Sequence, residues 1–300
     1  MRGPHVGRSA AAGQTSAVGP HFTPFHDPME KHQPRRRFGQ NFLADPHYVA
    51  RIVDAIAPQP GDRLVEIGPG LAALTRPLIE RAGHLVAIEI DRDLAQRLAA
   101  AFPPGQLTLH VADALAFDFA PLGPALRVVG NLPYNISSPL LFHLAQFESR
   151  LRDIHVMLQR EVVARMTALP ATPDYGRLSV MLQAMFRVTR LFTVPPGAFR
   201  PVPNVDSALA RLVPLGAAKP PIDDAALFSR VVAAAFGQRR KTLRNALSAL
   251  CDAPTLEAAN VDPAVRGETL AVADFVRLAN ALAARKHAAA AAARPGDGEG

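Results

Sequence analysis

Short apolar runs alternate with helical patterns along the first half of the chain. Four runs of four or five residues are rich in Leu, Ile and Val, as is typical of buried strands in a parallel sheet. They cover residues 63–67, 85–89, 107–111 and 127–130. Apolar residues at helical spacing lie between them, over 71–81 and 94–101. The alternation predicts an α/β fold with a doubly wound, Rossmann-like sheet.

A glycine or polar residue stands at the end of each of the four predicted strands. Gly68 and Gly70 follow the first, Glu89 ends the second, Asp113 follows the third and Asn131 follows the fourth. Ligands gather at the carboxyl ends of parallel strands, because those ends lie along one edge of the sheet. Glu89 lies about 20 residues beyond the glycines, the separation at which an acid binds ribose hydroxyls in βαβ units. We expect Gly68, Glu89 and Asp113 to surround a nucleoside, with Asp113 accepting from an adenine amine.

The tetrapeptide Asn131-Leu132-Pro133-Tyr134 is the strongest candidate for catalytic chemistry. The Asn131 side-chain oxygen and the Leu132 carbonyl can accept the two N–H groups of an exocyclic amine, while the Tyr134 ring stacks on the base. An ordinary turn is the alternative, since Pro-Tyr after Asn also forms one. The strand ends that precede the tetrapeptide favour a site for methylating nitrogen. Asn131 then marks where the cofactor meets the substrate.

The predicted domains follow from changes in pattern and composition. Residues 1–28 lack any period and are rich in Gly, Ala, Ser, Pro and His, so we expect a disordered extension and hypothesise that Met29 is the native start. A catalytic domain is predicted over 29–215. A small all-helical, RNA-binding domain is predicted over 216–284, after which we expect 285–300 to be a disordered, alanine-rich tail.

Two clusters of basic residues suggest a polyanionic partner. Lys and Arg outnumber Asp and Glu by 33 to 26, and the isoelectric point is near 10.3. No acidic residue lies between Asp224 and Asp252, which favours phosphate binding by the second cluster, expected on a helix. A solvated charged surface is the alternative for both clusters. They consist of Arg35, Arg36 and Arg37 before a helix capped by Asp45, and of Arg239, Arg240, Lys241 and Arg244.

Cysteine, histidine and hydropathy patterns exclude several classes of protein. Cys251 is the only cysteine, so disulfides within the chain and thiolate zinc clusters are impossible. The ten histidines show no metal-ligand spacing, and we expect no metal. No apolar run is long enough to cross a bilayer, and the first thirty residues lack the apolar core of a secretory signal. The prediction is a cytoplasmic protein without a membrane partner.

Seven segments resemble the bacterial small-subunit ribosomal RNA adenine dimethyltransferases, the kasugamycin-sensitivity dimethylases. The resemblance runs from about residue 35 to about residue 284 and includes Val-Glu-Ile-Gly-Pro-Gly and Asn-Leu-Pro-Tyr-Asn-Ile-Ser. The segments are 37–43, 65–70, 88–91, 131–137, 175–180, 194–208 and 236–245. The resemblance implies a methyltransferase sheet that binds S-adenosylmethionine. It also implies 16S ribosomal RNA, in the small subunit or its precursor, as substrate, with two adjacent adenosines of the 3′-terminal hairpin loop each methylated twice at N6.

The resemblance also implies roles for individual residues. Asn131, Leu132 and Tyr134 would contact the target adenine, and Phe199 is a candidate second stacking face. The alternative for Phe199 is a core aromatic in a proline-rich loop. The cofactor contacts would be Asn41, Leu43, Gly68, Glu89, Asp113 and Asn131.

Several rival functions compete with this interpretation. A methyltransferase of 23S RNA, DNA or protein is one, although DNA and protein amide enzymes usually carry a second proline where this chain has Leu132. An RNA-binding ribosome-assembly factor with little need of catalysis is another, and the complete set of strand-end residues argues for an active site. A nicotinamide dehydrogenase is disfavoured, because the third glycine of the dinucleotide fingerprint is missing.

Overall fold

A seven-stranded sheet lies at the centre of the fold in the computed structural model, which describes residues 40–292 of the chain. The hypothesised start at Met29 and the predicted extension over 1–28 lie outside the described residues. So do Arg35, Arg36 and Arg37 and the last eight residues of the predicted tail. None of the helices in the described part of the chain combines the length and apolar character needed to cross a bilayer.

The large sheet is mixed, with a parallel part and an antiparallel part. Its strands are β2 (Arg63–Ile67), β3 (Leu85–Glu89), β4 (Leu107–Val111), β5 (Leu126–Asn131), β6 (Leu151–Gln159), β7 (Phe186–Val194) and β9 (Ser207–Pro214). They lie in the order β4-β3-β2-β5-β6-β9-β7, parallel from β4 to β6, and β9 is antiparallel to both of its neighbours. The chain order reverses between β2 and β5. A crevice is therefore expected at their carboxyl ends.

A two-stranded sheet ties the beginning of the described chain to a loop near its middle. It pairs β1 (Phe42–Leu43) with β8 (Phe199–Arg200) in antiparallel register, with Leu43 opposite Phe199. The backbone amides of Ala44 and Asp45 both donate to the Ala198 carbonyl. The Asn131 side chain, at the end of β5, donates to the Asn41 carbonyl, so this segment lies beside the predicted site.

Ten α-helices surround the large sheet and form the C-terminal part of the described chain. Asp45 accepts from the His47 amide at 2.9 Å and caps its helix as expected. Asp91 accepts from the Asp93 amide at 3.0 Å and caps the helix that follows β3. The helices are α1 (Pro46–Ile56), α2 (Thr75–Ala82), α3 (Arg92–Ala101), α4 (Ser137–Ala145), α5 (Arg160–Thr167), α6 (Arg177–Gln183), α7 (Ala225–Gly237), α8 (Leu243–Ala246), α9 (Ala253–Ala258) and α10 (Val272–Ala292).

Two helical segments differ from the sequence prediction. The helix predicted over 71–81 begins only at Thr75, because residues 71–74 form turns that continue from the glycine loop after β2. The cationic segment 238–244, expected on a helix, lies mostly in a turn. Gly237 ends α7, and Thr242 has an extended backbone (φ −65°, ψ 158°) before α8 begins. Glycine and threonine favour such interruptions, and of the four predicted cations in this described segment only Arg244 is helical.

The last helix extends beyond the predicted boundary of the tail. α10 continues to Ala292, whereas the tail was predicted to start at 285. Alanine has the highest intrinsic helix propensity, and the run 288–293 consists of alanine alone, so a low-complexity sequence here prolongs a packed helix. The structure does not describe 293–300.

Two clusters of buried hydrophobic residues pack the helices onto the sheet and onto each other. The first covers one face of the large sheet, with Val128 and Val156 fully buried in the same cluster as Leu140 of α4. The second joins the C-terminal helices to α6, and it includes Tyr175, whose hydroxyl donates to the Leu270 carbonyl at 2.9 Å. Since Tyr175 precedes the predicted boundary at residue 216, the helical part packs directly on the catalytic part. The boundary itself stays a prediction.

A buried ionic network closes the sheet at the end opposite the predicted site. Arg127, at the start of β5, donates to both carboxylate oxygens of Asp153 at 3.0 Å and to Asp62 at 2.6 Å. Its remaining N–H groups reach the carbonyls of Ile56 at 2.6 Å and Ala57 at 3.3 Å. One guanidinium thus joins β5, β6 and the end of α1. Removal of a single partner from such a buried ion pair strongly destabilises a protein.

His155 beside this network should make the stability of the protein depend on pH. Its ring is 1% exposed, and neither ring nitrogen has a hydrogen-bond partner among the described residues. Burial lowers the pKa of His155 to about 4, although Asp153 opposes the change. In the unfolded chain the His155 ring therefore takes up a proton near pH 6.5, whereas in the folded chain it stays neutral down to about pH 4. We expect the free energy of unfolding to fall as the pH is lowered from about 6.5 to about 4, by up to about 3 kcal/mol.

Urea unfolding between pH 7.5 and pH 4.5 would measure this contribution of His155. His155→Leu removes the titrating ring, so its stability should fall less steeply over the same interval. His84, an exposed histidine on the loop before β3, provides the matched control His84→Leu. Identical slopes for the wild type and His155→Leu would contradict the assignment.

Candidate active site

One cleft at the carboxyl ends of β2, β3, β4 and β5 brings most of the predicted site residues together. Its walls come from the loop after each strand and from the segment around β1. This is where the reversal of strand order predicts a ligand crevice. The predicted residues that line it are Asn41, Gly68, Glu89, Asp113, Asn131, Leu132 and Tyr134.

The glycine turn after β2 forms the floor of the cleft. Gly68 and Gly70 have positive φ angles of 67° and 58°, which favour glycine. The Gly68 amide donates to the Ile88 carbonyl at 2.9 Å, so the turn is held against β3. A Cβ atom on Gly70 would lie 2.9 Å from the Phe42 ring. The turn therefore packs against β1 and leaves its backbone open to a ligand.

Glu89 presents a buried carboxylate at the end of β3. The residue is 4% exposed, and its two oxygens accept from the Gly70 amide at 3.3 Å and the Asp91 amide at 2.9 Å. Burial raises the pKa of Glu89, while these backbone bonds act in the opposite direction. A carboxylate has about four lone-pair sites, so oxygens with one amide each can still accept from hydroxyl groups. That suits the predicted contact with a ribose.

Asp113 lies at the opposite wall of the cleft, after β4. The residue is exposed, and one carboxylate oxygen accepts from the Leu115 amide at 2.9 Å. This bond fixes the direction of the side chain at the rim and leaves the other oxygen to accept from a ligand. The position fits the predicted contact with an adenine amine.

Glu66 is a buried carboxyl in the wall of the site to which the sequence analysis assigned no role. It is 2% exposed, and its Oε2 atom has no hydrogen-bond partner among the described residues. Burial raises the pKa of Glu66 to about 7, and the charge of Glu89 adds to the effect. With Gly68 and Asn131 it lines a small cavity that adjoins the cleft. A charged residue inside the apolar run 63–67 was the signal for it.

The two carboxyls suit a positively charged ligand. A buried acceptor without a partner is costly unless a donor or a cation satisfies it. Glu66 and Glu89 are both nearly inaccessible, yet both border the space that leads into the cleft. A nucleoside that carries a sulfonium and an ammonium group meets that requirement, and so the residues present fit S-adenosylmethionine.

Asn131 is held with its side-chain oxygen available. Its Nδ2 atom donates to the Asn41 carbonyl at 2.8 Å, and a carbonyl can only accept, so this contact fixes the orientation of the amide. Oδ1 remains as the acceptor for a ligand. A Cβ atom on Gly130 would lie 2.7 Å from the Ile67 carbonyl oxygen, and the turn can therefore approach the end of β2 only because residue 130 is glycine.

Leu132 and Tyr134 complete the turn after β5. The Leu132 amide donates to the Met157 carbonyl at 3.1 Å, and its side chain is 1% exposed, so the backbone is anchored to β6. The Tyr134 hydroxyl lies 2.8 Å from Ser207 Oγ on β9. Burial raises the pKa of the Tyr134 phenol, and the ring stays neutral while it lines the cleft. A fixed, neutral ring is suited to stacking on a base.

Phe199 and Leu43 lie outside the lining of the main cleft. They face each other across the β1–β8 pair, and Phe199 is 0% exposed. Phe199 therefore has no face free for a base in this arrangement, and its position matches the core aromatic that was the alternative interpretation. Leu43, 6% exposed, borders the small cavity beside Glu66.

Ile90 adds an apolar surface to the cleft, a role that was not predicted from the sequence. It is 47% exposed, directly follows Glu89 and lines the cleft. An exposed isoleucine next to a buried acid offers an apolar surface to a flat ring. The signal was the position of Ile90 between two acids at the end of a strand.

The predicted RNA-binding cations separate into different environments. Arg239 forms an ion pair with Glu268 at 3.0 Å and also donates to the Pro173 carbonyl. Arg240 and Lys241 are exposed in the turn after α7, while Arg244 is exposed on α8. Arg239 thus has a structural task, and the others have side chains that can reach a phosphate. In residues 40–292 no group of three or more His, Cys, Asp or Glu side chains could hold a metal ion.

The reversal of strand order, the glycine turn and the acid at the end of β3 define a Rossmann-like methyltransferase. Residues 31–284 match the model of the ribosomal RNA adenine dimethylase family, and the chain belongs to this family. The family, the fold class and the methyl donor S-adenosylmethionine expected from the sequence are confirmed.

Curated relatives and solved structures agree with this assignment. The chain is 61% identical to the ribosomal RNA small subunit methyltransferase A of Aromatoleum aromaticum over 86% of its length and 97% of the relative. It is 60% identical to the protein of that name from Thiobacillus denitrificans, over 85% of its length and 100% of the relative. The 23S rRNA methyltransferase ErmE superposes with a TM-score of 0.60 at 27% identity, covering 81% of this chain and all of that one. A dimethyladenosine transferase from Plasmodium falciparum shares the fold, with a TM-score of 0.68 at 24% identity over 79% of this chain and 95% of that one.

Proposed function

We propose that this protein transfers methyl groups from S-adenosylmethionine to N6 of two adjacent adenosines in the 3′-terminal hairpin loop of 16S ribosomal RNA, dimethylating each during small-subunit biogenesis. Its place of action is then the cytoplasm. The observation that carries the proposal is the Asn131 amide, fixed by Asn41 so that its oxygen is left to accept beside the cofactor cleft. Relatives named as small-subunit methyltransferases at about 60% identity favour this RNA over the 23S RNA on which ErmE acts.

Residues from three strand ends would hold the cofactor. Glu89 would accept from the ribose hydroxyls and Asp113 from the adenine amine, while Ile90 covers a face of the adenine ring. The Gly68 turn allows close approach of the backbone. When bound, S-adenosylmethionine supplies an electrophilic methyl group on its sulfonium.

Asn131 and Leu132 activate the target amine by orienting it. The lone pair of an adenine amine is delocalised into the ring and makes the nitrogen a poor nucleophile. Oxygen acceptors on Asn131 and Leu132 would bind both N–H groups and favour a geometry in which the lone pair leaves the ring plane. They also stabilise the positive charge that develops on nitrogen. No dedicated base is required, because the nitrogen becomes acidic once it is methylated.

Tyr134 controls which form of the substrate can react. Stacking on its ring needs a base that has left its own stack, so we propose an unstacked or flipped adenosine. After the first transfer one N–H remains, and the pocket beside Asn131 must accept a methyl group for the second. Leu132, in place of the second proline of DNA and protein enzymes, favours RNA as substrate.

Labelled methyl transfer to small ribosomal subunits that lack the modification tests the proposed function. We expect incorporation to approach four methyl groups per subunit, with the label mapped to two neighbouring adenosines. Fully modified subunits and unmodified large subunits serve as controls. No incorporation, or label in large-subunit RNA, would refute the proposal.

Glu89→Ala should weaken cofactor binding. The change removes acceptors for two hydroxyl groups and a charge in a buried position, where hydrogen bonds to ions contribute about 1.5–3 kcal/mol. We expect the Kd for S-adenosylmethionine to rise by at least roughly tenfold. Isothermal titration calorimetry measures it, with Glu80→Ala as a control at an exposed acid on α2. Equal affinities for both variants would exclude Glu89 as a cofactor ligand.

A further inference from the structure

A second cleft, here called the basic cleft, lies in the C-terminal part between α7, α8, α9 and α10. It is open, with a volume of about 740 Å³. An isolated phosphate needs far less space, and ligand sites of 300–1,000 Å³ hold much larger groups. The cations that line the basic cleft are Arg230, Arg244, Arg285 and Lys286.

Most of these cations are available to a ligand. Arg230, Arg244 and Lys286 are exposed and form no ion pair with any residue that the structure describes. Arg285 lies 3.3 Å from a carboxylate oxygen of Asp252. The strongest unbalanced positive charge is therefore on Arg230, Arg244 and Lys286.

Asp252 is the only acid among the described residues that line the basic cleft, and its Oδ1 atom is engaged at the start of α9. It caps α9 by accepting from the Thr255 amide at 3.1 Å, and it also accepts from the Thr255 hydroxyl. Four cations against one carboxylate leave a net positive cleft. A polyanion is the ligand that such a balance favours.

The floor and rim of the basic cleft suit a nucleic-acid strand. Leu227 and Leu282 are buried at its base as part of the helical core, and the exposed Ser248 adds a hydroxyl at the rim. Cations around an apolar floor can hold phosphates while sugars or bases lie against the floor. Phosphates are bound by Arg, Lys and Ser side chains without regard to sequence.

We propose that the basic cleft binds the sugar-phosphate backbone of ribosomal RNA, as a contact separate from the adenosine at the active site. The proposal rests on the proposed function for the identity of the RNA. It differs from the predicted cation cluster, because Arg239 of that cluster turns toward Glu268 while Arg244 faces the basic cleft. Arg285 and Lys286 lie just beyond the family match, which ends at 284, and the extension of α10 brings them here.

The variant Arg230→Gln/Lys286→Gln tests the basic cleft. Binding to unmodified small subunits should weaken about tenfold, and the slope of log K against log salt should become shallower by about 1 to 2, as lost phosphate contacts require. The matched control is Arg187→Gln/Arg190→Gln, two exposed cations on the edge strand β7, for which we expect less than a twofold change. Equal losses in both variants, or unchanged affinity and slope in the first, overturn the proposal.

A substitution that is expected to increase RNA affinity controls for damage to the fold. Asp252→Asn removes the only carboxylate of the basic cleft, and asparagine caps a helix as well as aspartate does. RNA binding should tighten about threefold, an effect that misfolding cannot produce. Glu257→Gln, at an exposed acid on the same helix outside the basic cleft, should leave affinity unchanged. Weaker or unchanged binding by Asp252→Asn overturns the proposal.

Methyl transfer by the wild-type protein separates the two proposals. If the wild type methylates unmodified small subunits and the basic-cleft variants bind them normally, only the basic cleft is refuted. If the wild type transfers no methyl group, the proposed function fails. The proposal for the basic cleft is then tested by measuring how tightly the same variants bind a 16S RNA fragment. If the basic-cleft variant and the β7 variant bind it equally well, that proposal is overturned.

Discussion

Asn131→Ala should reduce methyl transfer by on the order of a hundredfold or more. The substitution removes the Oδ1 acceptor that would orient the amine and stabilise its developing charge. It also removes the bond from Nδ2 to the Asn41 carbonyl, which holds the segment before α1 against the end of β5. Single-turnover transfer to unmodified small subunits, with cofactor and RNA at saturation, isolates this effect from binding.

Asn131→Asp distinguishes the two contributions of this side chain. It keeps an oxygen acceptor but loses the N–H donor and places a charge near the Asn41 carbonyl. If the hydrogen bond that Oδ1 accepts from the target amine matters more than the bond from Nδ2 to Asn41, Asn131→Asp should retain more activity than Asn131→Ala. The Tm and the cofactor Kd of both variants show whether the site still assembles. A rate close to wild type for Asn131→Ala would remove this residue from the mechanism.

Arg127→Met should destabilise the protein by about 3–5 kcal/mol. The guanidinium and the Asp153 carboxylate are almost inaccessible, with side chains 5% and 2% exposed. Loss of the cation leaves the buried carboxylates of Asp153 and Asp62 with only the more exposed Arg211 and Arg152 as cationic partners. It also removes the hydrogen bonds of the guanidinium to the carbonyls of Ile56 and Ala57. Urea unfolding at pH 7.5 measures the change in the free energy of unfolding.

Arg152→Met is the matched control for that experiment. Arg152 also pairs with Asp62, at 2.8 Å, but its side chain is 56% exposed, and exposed pairs contribute about 0–1 kcal/mol. The double variant Arg127→Met/Asp153→Asn should recover part of the loss, because it removes one stranded charge. Equal stability of Arg127→Met and Arg152→Met would show that burial adds nothing to this network.

Apolar runs in the sequence mark the parallel strands closely, but no comparable pattern marks the antiparallel part of the sheet. The bounds of β2, β3 and β4 agree with the apolar runs. β2 and β3 are buried almost throughout, and strands buried on both faces have a continuous apolar sequence. The insertion of β9 between β6 and β7 has no such signal. β9 pairs with β6, which lies far from it in the chain, as well as with the nearby β7, and local patterns do not specify the partner of a strand.

The errors in individual residues have the same origin. α2 begins at Thr75 and not at residue 71 as predicted, because the loop after β2 must turn around Gly68 and Gly70 before a helix can begin. The burial of Phe199 depends on its pairing with β1, more than 150 positions earlier. The ion pair of Arg239 with Glu268 likewise joins two separate segments of the helical part. None of these contacts has a periodic pattern in the chain.

The amino-acid sequence by itself determined which chemical groups stand at the strand ends, since a buried strand and the polar residue that ends it are neighbours in the chain. Gly68, Glu89, Asp113 and Asn131 could therefore be named in advance, and the structure places all four in one cleft. Only the tertiary structure decided the orientation of the Asn131 amide, the burial of Glu66 and the meeting of Arg230 with Lys286. These features arise when distant segments pack together, and the free energy of that packing is distributed over the whole core.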